Sequence, residues 1–476
     1  MSTSEFDDYK VDHLFLLIGE NPLPNYVAAK LLLREDGKPL LVYSERTQEP
    51  ANRLRDSLDL SDKEMVALDN NEANAYEIKK RIREKIKEIQ KEHPDKNKFG
   101  LNYTGGTKAM AAHAYQALLS YELNHNPIFS YLDSSSLKML IDQENGNPIP
   151  LNVNSKIKIS LQEIFDLHEP WSKKQPPIEI PKLPQLAKKI ANLHTDINVA
   201  RAWRWWCDYV LRQQTREPKK PDEWLKEKDL NNITIPLQAN IANKKVTENL
   251  ALLVNSIDKN DSNMESPHKL MDKLMNNEFK KLKEISELSK SLWDSSNAQH
   301  IENITSLLQS SLNLSSKELS LASAKDKGEF EKIKHVCKWL DGEWLEHHVL
   351  NEVKNISSFD ISINDSKMSF HIPDDKGNDK FEFDVAFTHN YQLFAISCTT
   401  DTDPGVCKLK LFEAYRRVKQ MGGDEARVAL VCCYDKPAKL KKGFMAQIND
   451  DKVNIFGCDN LVNLSENLKN WIEEVG

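Results

Sequence analysis

Long hydrophobic runs are missing from this 476-residue sequence. No window holds the roughly 18 apolar residues that a membrane-spanning helix needs. The polar start Met1-Ser2-Thr3-Ser4-Glu5 lacks the apolar segment of a signal peptide. Cysteine is sparse and unpatterned: seven residues, an odd number, with no C-x-x-C pair. Cys432 and Cys433 are adjacent within an apolar run. These features exclude a disulfide framework and a zinc ribbon, and they point to reduced, buried thiols in a cytoplasm. A strong charge of one sign is also absent. A net charge of −7 gives no general coat for nucleic acid, although a local basic groove is compatible with it. What remains, 39% hydrophobic and 29% charged residues, describes a globular chain with many solvated helix faces. Its length predicts two or three domains.

The most informative string is Thr104-Gly105-Gly106-Thr107-Lys108-Ala109-Met110. An apolar run, Phe99–Tyr103, precedes it and the helix-forming stretch Ala111–Leu119 follows, so the pattern predicts strand, glycine turn, helix. Two glycines let backbone approach a ligand closely. The Thr107 hydroxyl can cap the helix, and Lys108 adds charge where the helix dipole already favours anions. A phosphate-bearing ligand suits such a turn, and a tight connection with no ligand explains the same residues equally well. The turn is not a P-loop, because the G-x-x-x-x-G-K-[ST] spacing is absent.

Around this turn, residues 11–155 alternate apolar runs with helical stretches. His13–Gly19 reads as a strand, Pro24 opens a helix through Leu33, Pro39–Ser44 is the next strand, and a charged helix runs from Asn74 to Glu92. Asn126–Leu132 reads as a further strand. Alternation of this kind predicts a parallel sheet wound with helices, whose ligands bind beyond the carboxyl ends of the strands. Gly19-Glu20-Asn21-Pro22, Ser44–Thr47 and Thr104–Thr107 all lie at predicted strand exits and converge on one mouth.

Residues 156–325 are proline-linked, mostly helical and free of visible chemistry, with an exposed break near Asp261–Pro267. The Trp203-Arg204-Trp205-Trp206 cluster could stack on bases, but at helical spacing it fits a packing face between domains better. From about 326 a small mixed α/β pattern follows: a helix over Glu329–Val353 broken near Asp341-Gly342, a hairpin turn at Asp374–Asp379, strands Phe381–Thr388 and Gln392–Thr399, a helix near Leu409–Met421, and a strand Arg427–Cys433.

If Asn390-Tyr391 form a two-residue turn, Asp384 lies opposite Ser397 across the hairpin. Glu382, Asp384 and Ala386 then share a face with Leu393, Ala395, Ser397 and Thr399, while Phe383, Val385, Phe394 and Ile396 point into a core. A carboxylate in so apolar a hairpin is costly to bury unless it is paired or bound to a metal. Hydrogen bonds from Ser397, Thr399 or backbone would suffice as the pairing. Glu343 and Glu346, three apart on one helix face, can also approach it. A helix Glu with a strand Asp offers the oxygen ligands that Mg²⁺ or Mn²⁺ takes, and such an ion activates water against a phosphodiester. His347 and His348 are adjacent, so they diverge on a helix and make a poor zinc pair.

Gly19-Glu20-Asn21-Pro22, Tyr43–Thr47 and Asn102–Met110 together resemble a CARF domain, the CRISPR-associated Rossmann-like sensor of cyclic oligoadenylate. Gly342–Glu346, Phe383-Asp384-Val385 and Leu393–Thr399 resemble the PD-(D/E)XK, or restriction-endonuclease-like, domain fused to CARF in type III CRISPR ancillary nucleases. The resemblance implies an α/β chain with a Rossmann-like CARF domain over 1–155, a helical middle region over 156–325 and a mixed α/β nuclease-like domain over 326–476. It also implies a homodimer with one two-fold pocket for a cyclic RNA, usually cyclic tetra-adenylate. Ligand binding would switch on cutting of DNA or RNA with Mn²⁺ or Mg²⁺. By position, Asn21, Thr104, Gly105, Gly106, Thr107 and Lys108 would face the ligand, and Asp384 and Glu346 would hold the metal.

One departure stands out. Ser397-Cys398-Thr399 occupies the places of the usual Glu-x-Lys motif, so one carboxylate and one lysine are missing. Very-short-patch repair endonucleases of the same wider fold work with a strand Asp, a helix Glu and a Thr in this motif. Asp384, Glu346, Ser397 and Thr399 therefore remain a workable set, with Lys408 or Lys410 of the next helix supplying the positive charge. Two alternatives follow from the departure and from the fold: a sensor whose degenerate effector domain binds nucleic acid or a partner, and a ring nuclease that cleaves its own cyclic ligand.

Overall fold

The computed structural model describes residues 4–154, 156–236, 295–312, 318–356, 361–373 and 379–475. The expected break near 261–267 and the expected hairpin turn at 374–378 lie outside them. The N-terminal part builds β1 (Val11–Leu17), α1 (Leu23–Leu32), β2 (Leu33–Tyr43), α2 (Gln48–Ser57), β3 (Met65–Ala67), α3 (Ala75–Glu92), β4 (Phe99–Asn102), α4 (Lys108–Leu119), β5 (Ile128–Asp133), β6 (Lys138–Ile141) and β7 (Ile149–Asn152). The strands form one sheet in the order β3-β2-β1-β4-β5-β6-β7, parallel through β5 and antiparallel beyond it. β1 is buried along its whole length, as a central strand covered on both faces must be. α3 shows how the covering works. Ile78, Ile82, Ile86 and Ile89 recur every three or four residues and are buried, while Lys80, Glu84, Lys87 and Glu88 stay exposed. Asn74 starts this helix by accepting the Tyr76 and Glu77 N–H groups.

The middle region carries α5 (Leu161–Leu167), α6 (Pro184–Leu193), α7 (Ile197–Trp206), which runs through a π turn at Cys207–Leu211 into α8 (Arg212–Thr215), and then β8 (Arg216–Glu217), β9 (Lys220–Trp224), α9 (Glu227–Leu230), β10 (Thr234–Pro236), α10 (Ser295–Leu312), β11 (Glu318–Ser320) and α11 (Leu321–Lys327). It is helical as expected, with two small antiparallel ribbons, β8–β9 and β10–β11, that the sequence did not announce. α5 is a wedge between the sheets. Its Phe165 stacks on Phe370 at 5.0 Å and meets Phe383 edge-on at 5.9 Å. Burying one such ring contributes about 1.5–3 kcal/mol.

The C-terminal part holds α12 (Ile333–Lys338), a π turn at Trp339–Glu343, α13 (Trp344–Asn355), β12 (Ile363–Pro373), β13 (Asp379–His389), β14 (Gln392–Thr399), α14 (Pro404–Gly422), β15 (Arg427–Cys432), α15 (Pro437–Ile448), β16 (Val453–Phe456) and α16 (Leu464–Val475). Its sheet runs β12-β13-β14-β15-β16, with the first three strands antiparallel and the last three parallel. The helix break expected at Asp341-Gly342 is present, because Gly342 leaves the helical region. The hairpin pairs Val385 with Ile396 and His389 with Gln392 around an Asn390-Tyr391 turn, the expected register.

Phe383 departs from expectation. It joins Phe370 and Phe165 in the core shared with the N-terminal part, whereas Val385 joins Met368 in the core shared with the middle helices. Ser369, between Met368 and Phe370, sits at φ 57°, and this twist turns successive cross-strand pairs to opposite sides. Among the described residues, no helix is long and apolar enough to cross a membrane.

Candidate functional site

In the N-terminal sheet the chain leaves β1 toward β2 on one side and returns to β4 on the other. The switch point lies between these neighbours, where ligands of open α/β sheets bind. The two strand exits touch there. A Cβ on Gly105 would lie 2.3 Å from the Leu17 carbonyl oxygen, and one on Gly19 would lie 3.2 Å from the Gly106 nitrogen. Gly106 adopts φ +74°, a conformation that favours glycine. Gly105 is thus required by backbone approach and Gly106 by its backbone conformation.

Thr107 caps α4 by accepting the Met110 N–H at 3.1 Å and donates its own hydroxyl to the Glu72 carbonyl at 3.2 Å. Thr104 accepts the Leu132 N–H at 2.7 Å and is a strut of the sheet. Gly106, Thr107 and Lys108 are exposed, and Lys108 has no ion-pair partner among the described residues. Asn25 went unnoticed in the sequence. It is buried, donates to the Leu17 carbonyl at 3.0 Å and so fixes the β1 exit against the turn. We expect Gly105→Ala to destabilise the fold by about 1–3 kcal/mol, the usual cost of overpacking, read as a lower Tm by circular dichroism.

Asn21 stands apart from this group and faces the C-terminal part. Its amide oxygen accepts the Leu23 N–H at 3.0 Å and lies 2.9 Å from Nε2 of His168, whose Nδ1 lies 2.8 Å from the Ile164 carbonyl. Burial pulls the His168 pKa down to about 4. A neutral ring carries one proton, so only one of these two oxygens accepts from it. On its other side Asn21 abuts Gly423, where a Cβ would overlap the amide nitrogen at 1.9 Å. Gly423 has φ 61° and ψ −148°, a region essentially reserved for glycine.

The second site lies at the C-terminal sheet. Asp384 and Glu346 are half-buried, Glu343 is partly exposed and Glu382 is exposed. The Asp384 Oδ2 accepts the Ser397 hydroxyl at 2.9 Å and the Cys398 N–H at 2.6 Å, which leaves Oδ1 without a donor among the described residues. Desolvation and then the neighbouring charges of Asp384, Glu343 and Glu382 push the Glu346 pKa well above the usual carboxylate range. Asp384 is raised too, chiefly by desolvation, against the opposing charge of Lys410 and its two hydrogen bonds. Lys338 pairs with Glu343 at 3.5 Å.

Thr399, two residues beyond Ser397 on the same strand, accepts the Asp401 N–H at 3.2 Å. Lys408 lies over the Phe412 ring at 5.7 Å, and Lys410 is the lysine whose charge acts on Asp384 and Glu346. His347 and His348 diverge: His347 accepts the Lys182 N–H at 3.0 Å, and Nε2 of His348 lies 3.0 Å from the Leu461 carbonyl.

The tryptophan cluster is packing and more. Trp203 and Trp206 stack at 4.6 Å, and the Trp203 indole donates to the Leu340 carbonyl at 3.3 Å. Arg204 donates to the Asp341 carbonyl at 2.9 Å, the Asp341 carboxylate at 2.7 Å and the Thr400 hydroxyl at 3.1 Å. Against the pull of burial, Arg204 and Arg212 hold the Asp341 carboxyl below its usual range. This clamp ties the bend ahead of Glu343 and Glu346 to the end of the strand that supports Asp384.

The donors fit a hard divalent cation. They are carboxylate oxygens whose mutual repulsion a cation would relieve. Among the described residues no three His, Cys, Asp or Glu side chains gather into a ready cage, so water or substrate oxygens would complete the shell.

A family model described as the Card1 CARF domain matches residues 14–163, and one described as the Card1-like endonuclease domain matches residues 333–475. No curated protein matches the sequence. Among solved structures, VC1899 from Vibrio cholerae aligns over 98% of both chains with a TM-score of 0.60 and 16% identity. Can2 from Sulfobacillus thermosulfidooxidans, in complex with cyclic tetra-adenylate, aligns over 98% of this chain and 99% of its own with a TM-score of 0.54 and 16% identity. At that identity the likeness is one of fold.

Proposed function

We propose, for a chain that belongs to the proteins joining a Card1-type CARF domain to a Card1-like endonuclease domain, that cyclic oligoadenylate switches on a metal-dependent nuclease in type III CRISPR antiviral defence. The observation that carries this reading is that Glu346 and Asp384, half-buried carboxylates from different elements, lie near enough for the Asp384 charge to push the Glu346 pKa up. The expected activator is cyclic tetra-adenylate, which Can2 binds in its solved complex. A ring of four equal units matches a symmetric two-fold pocket, and so a homodimer. The substrate is DNA or RNA, and the compartment is the cytoplasm.

Phosphates of the ring would sit at the exposed α4 N-terminus beside Lys108, where free N–H groups and the dipole favour anions. At the other site Asp384 and Glu346 would hold Mn²⁺ or Mg²⁺. The ion, when bound, would supply Lewis acidity toward a phosphodiester and its attacking water. Ser397 and the Cys398 N–H orient Asp384, and Lys410 offers positive charge to the carboxylates and to a phosphate. Ser397→Ala is expected to raise the Asp384 pKa further, because a hydrogen bond to the ionised form is lost. The acid limb of the cleavage pH profile should then move upward by up to about one pH unit.

Coupling between the sites runs through Asn21. α14 is 19 residues long, about 28 Å, with Gly423 directly after it and Lys410 near its start. A ligand that draws Asn21 from its contact with His168 would shift the end of this helix and, at its other end, the charge facing Asp384. Thermal melting of the full chain tests the sensor half. Cyclic tetra-adenylate at about 100 times its Kd should stabilise the fold by about 2.7 kcal/mol and raise the Tm. No rise with the tetra- or hexa-adenylate ring would contradict the reading.

A further inference from the structure

A cleft of about 500 Å³ opens beside the glycine turn, lined by Tyr103, Tyr115, Tyr131, Leu140, Asp142 and Gly146 among others. Its wall residue Tyr103 directly precedes Thr104 of the glycine turn, and the Thr104 hydroxyl accepts the N–H next to Tyr131, that of Leu132, at 2.7 Å. Its walls are ring faces. Tyr103 and Tyr131 lie 5.6 Å apart at 31°, Tyr115 meets Tyr103 edge-on at 6.1 Å, and Phe129 backs Tyr115 at 3.8 Å. At one edge the Asp142 carboxylate accepts the Tyr103 hydroxyl at 3.0 and 3.1 Å, which fixes the ring. A carboxylate has about four acceptor positions, so capacity remains for a further donor.

We propose that this cleft holds a nucleobase bearing an exocyclic amino group, which is adenine if the cyclic-oligoadenylate reading on which this rests is right. Aromatic walls stack any base and confer no choice among them. The choice comes from Asp142. It accepts from an amino group, repels a keto oxygen, and repels phosphate toward Lys108 and the α4 N-terminus. Base and phosphate are thereby sorted to adjoining, oppositely charged places. The cleft volume is within the range of small-molecule sites.

The test measures affinities of the full chain for synthetic cyclic tetra-adenylate and for its inosine counterpart, which has a keto oxygen in place of the amino group. Wild type should prefer the adenylate ring by at least about tenfold. Tyr131→Ala should weaken adenylate binding roughly 5- to 150-fold, the range stacked bases lose on alanine substitution, and Tyr131→Phe should bind as wild type does. Asp142→Asn, whose amide can donate to a keto oxygen, should narrow the preference to within about threefold. Wild-type binding with Tyr131→Ala and Asp142→Asn indistinguishable from wild type overturns the cleft proposal and leaves the sensor reading standing. A Tyr131→Ala protein that turns from dimer to monomer with its base preference intact makes the cleft a subunit contact and also overturns it. If wild type binds neither ring, the sensor reading fails and this inference fails with it.

Discussion

Asp384→Ala should lower activator-stimulated cleavage by at least about 100-fold while leaving the affinity for cyclic tetra-adenylate unchanged. Asp384 is the strand carboxylate of the pair, and its Oδ1 has no protein donor among the described residues, whereas Oδ2 is committed to Ser397 and Cys398. Removing it takes away one proposed metal ligand and leaves Glu346 alone. The fold should not suffer. In the wild type burial raises both pKa values, and the Asp384 charge raises that of Glu346 further. A raised folded-state pKa means stability that is present at low pH and lost as pH rises through that value. Metal-free Asp384→Ala should therefore melt no lower than metal-free wild type near pH 8. A variant that cuts normally would place the chemistry elsewhere. One that loses both cutting and ligand binding would mark a general folding defect, which the melting curve would show.

Gly423→Ala should separate sensing from cutting. We expect activator affinity within about threefold of wild type, and stimulation of cleavage reduced at least tenfold, a coupling loss within the usual 1–3 kcal/mol. Two separate obstacles meet at this position: a left-handed backbone that a side chain tolerates poorly, and the Asn21 amide nitrogen 1.9 Å from where a Cβ would sit. The substitution disturbs the seat between the β1 exit and α14 without touching Lys108, Asp384 or Glu346. Asn21→Ala attacks the same seat from the other side and leaves the glycine backbone unstrained. Both variants should show basal cleavage near wild type. Full stimulation in both would show that coupling takes another route.

Much of the fold was legible because its central elements are long and strongly patterned. The all-apolar β1 and the four isoleucines of α3 declare themselves, and a two-residue turn at Asn390-Tyr391 sets the hairpin register that brings Asp384 to Ser397. β3, β6 and β7 were not legible, since three or four residues are too few to show a period.

At the sites, residue type was easier to read than partner. Arg204 and Asp341 are 137 positions apart, and Asn21 and His168 are 147 apart, distances at which no local pattern reports a contact. The lysine beside Asp384 was open between Lys408 and Lys410 for a related reason. Two residues apart on a helix, they point nearly opposite ways, and only the docking of α14 puts Lys410 toward the carboxylates.

The most direct measurement is cleavage of labelled DNA and RNA by the full chain in four arms, with and without cyclic tetra-adenylate and with and without Mn²⁺. The account predicts cutting of at least one substrate only when activator and metal are both present. Cutting that ignores the activator, or no cutting under any of the four conditions by a protein that binds the ring, would contradict it.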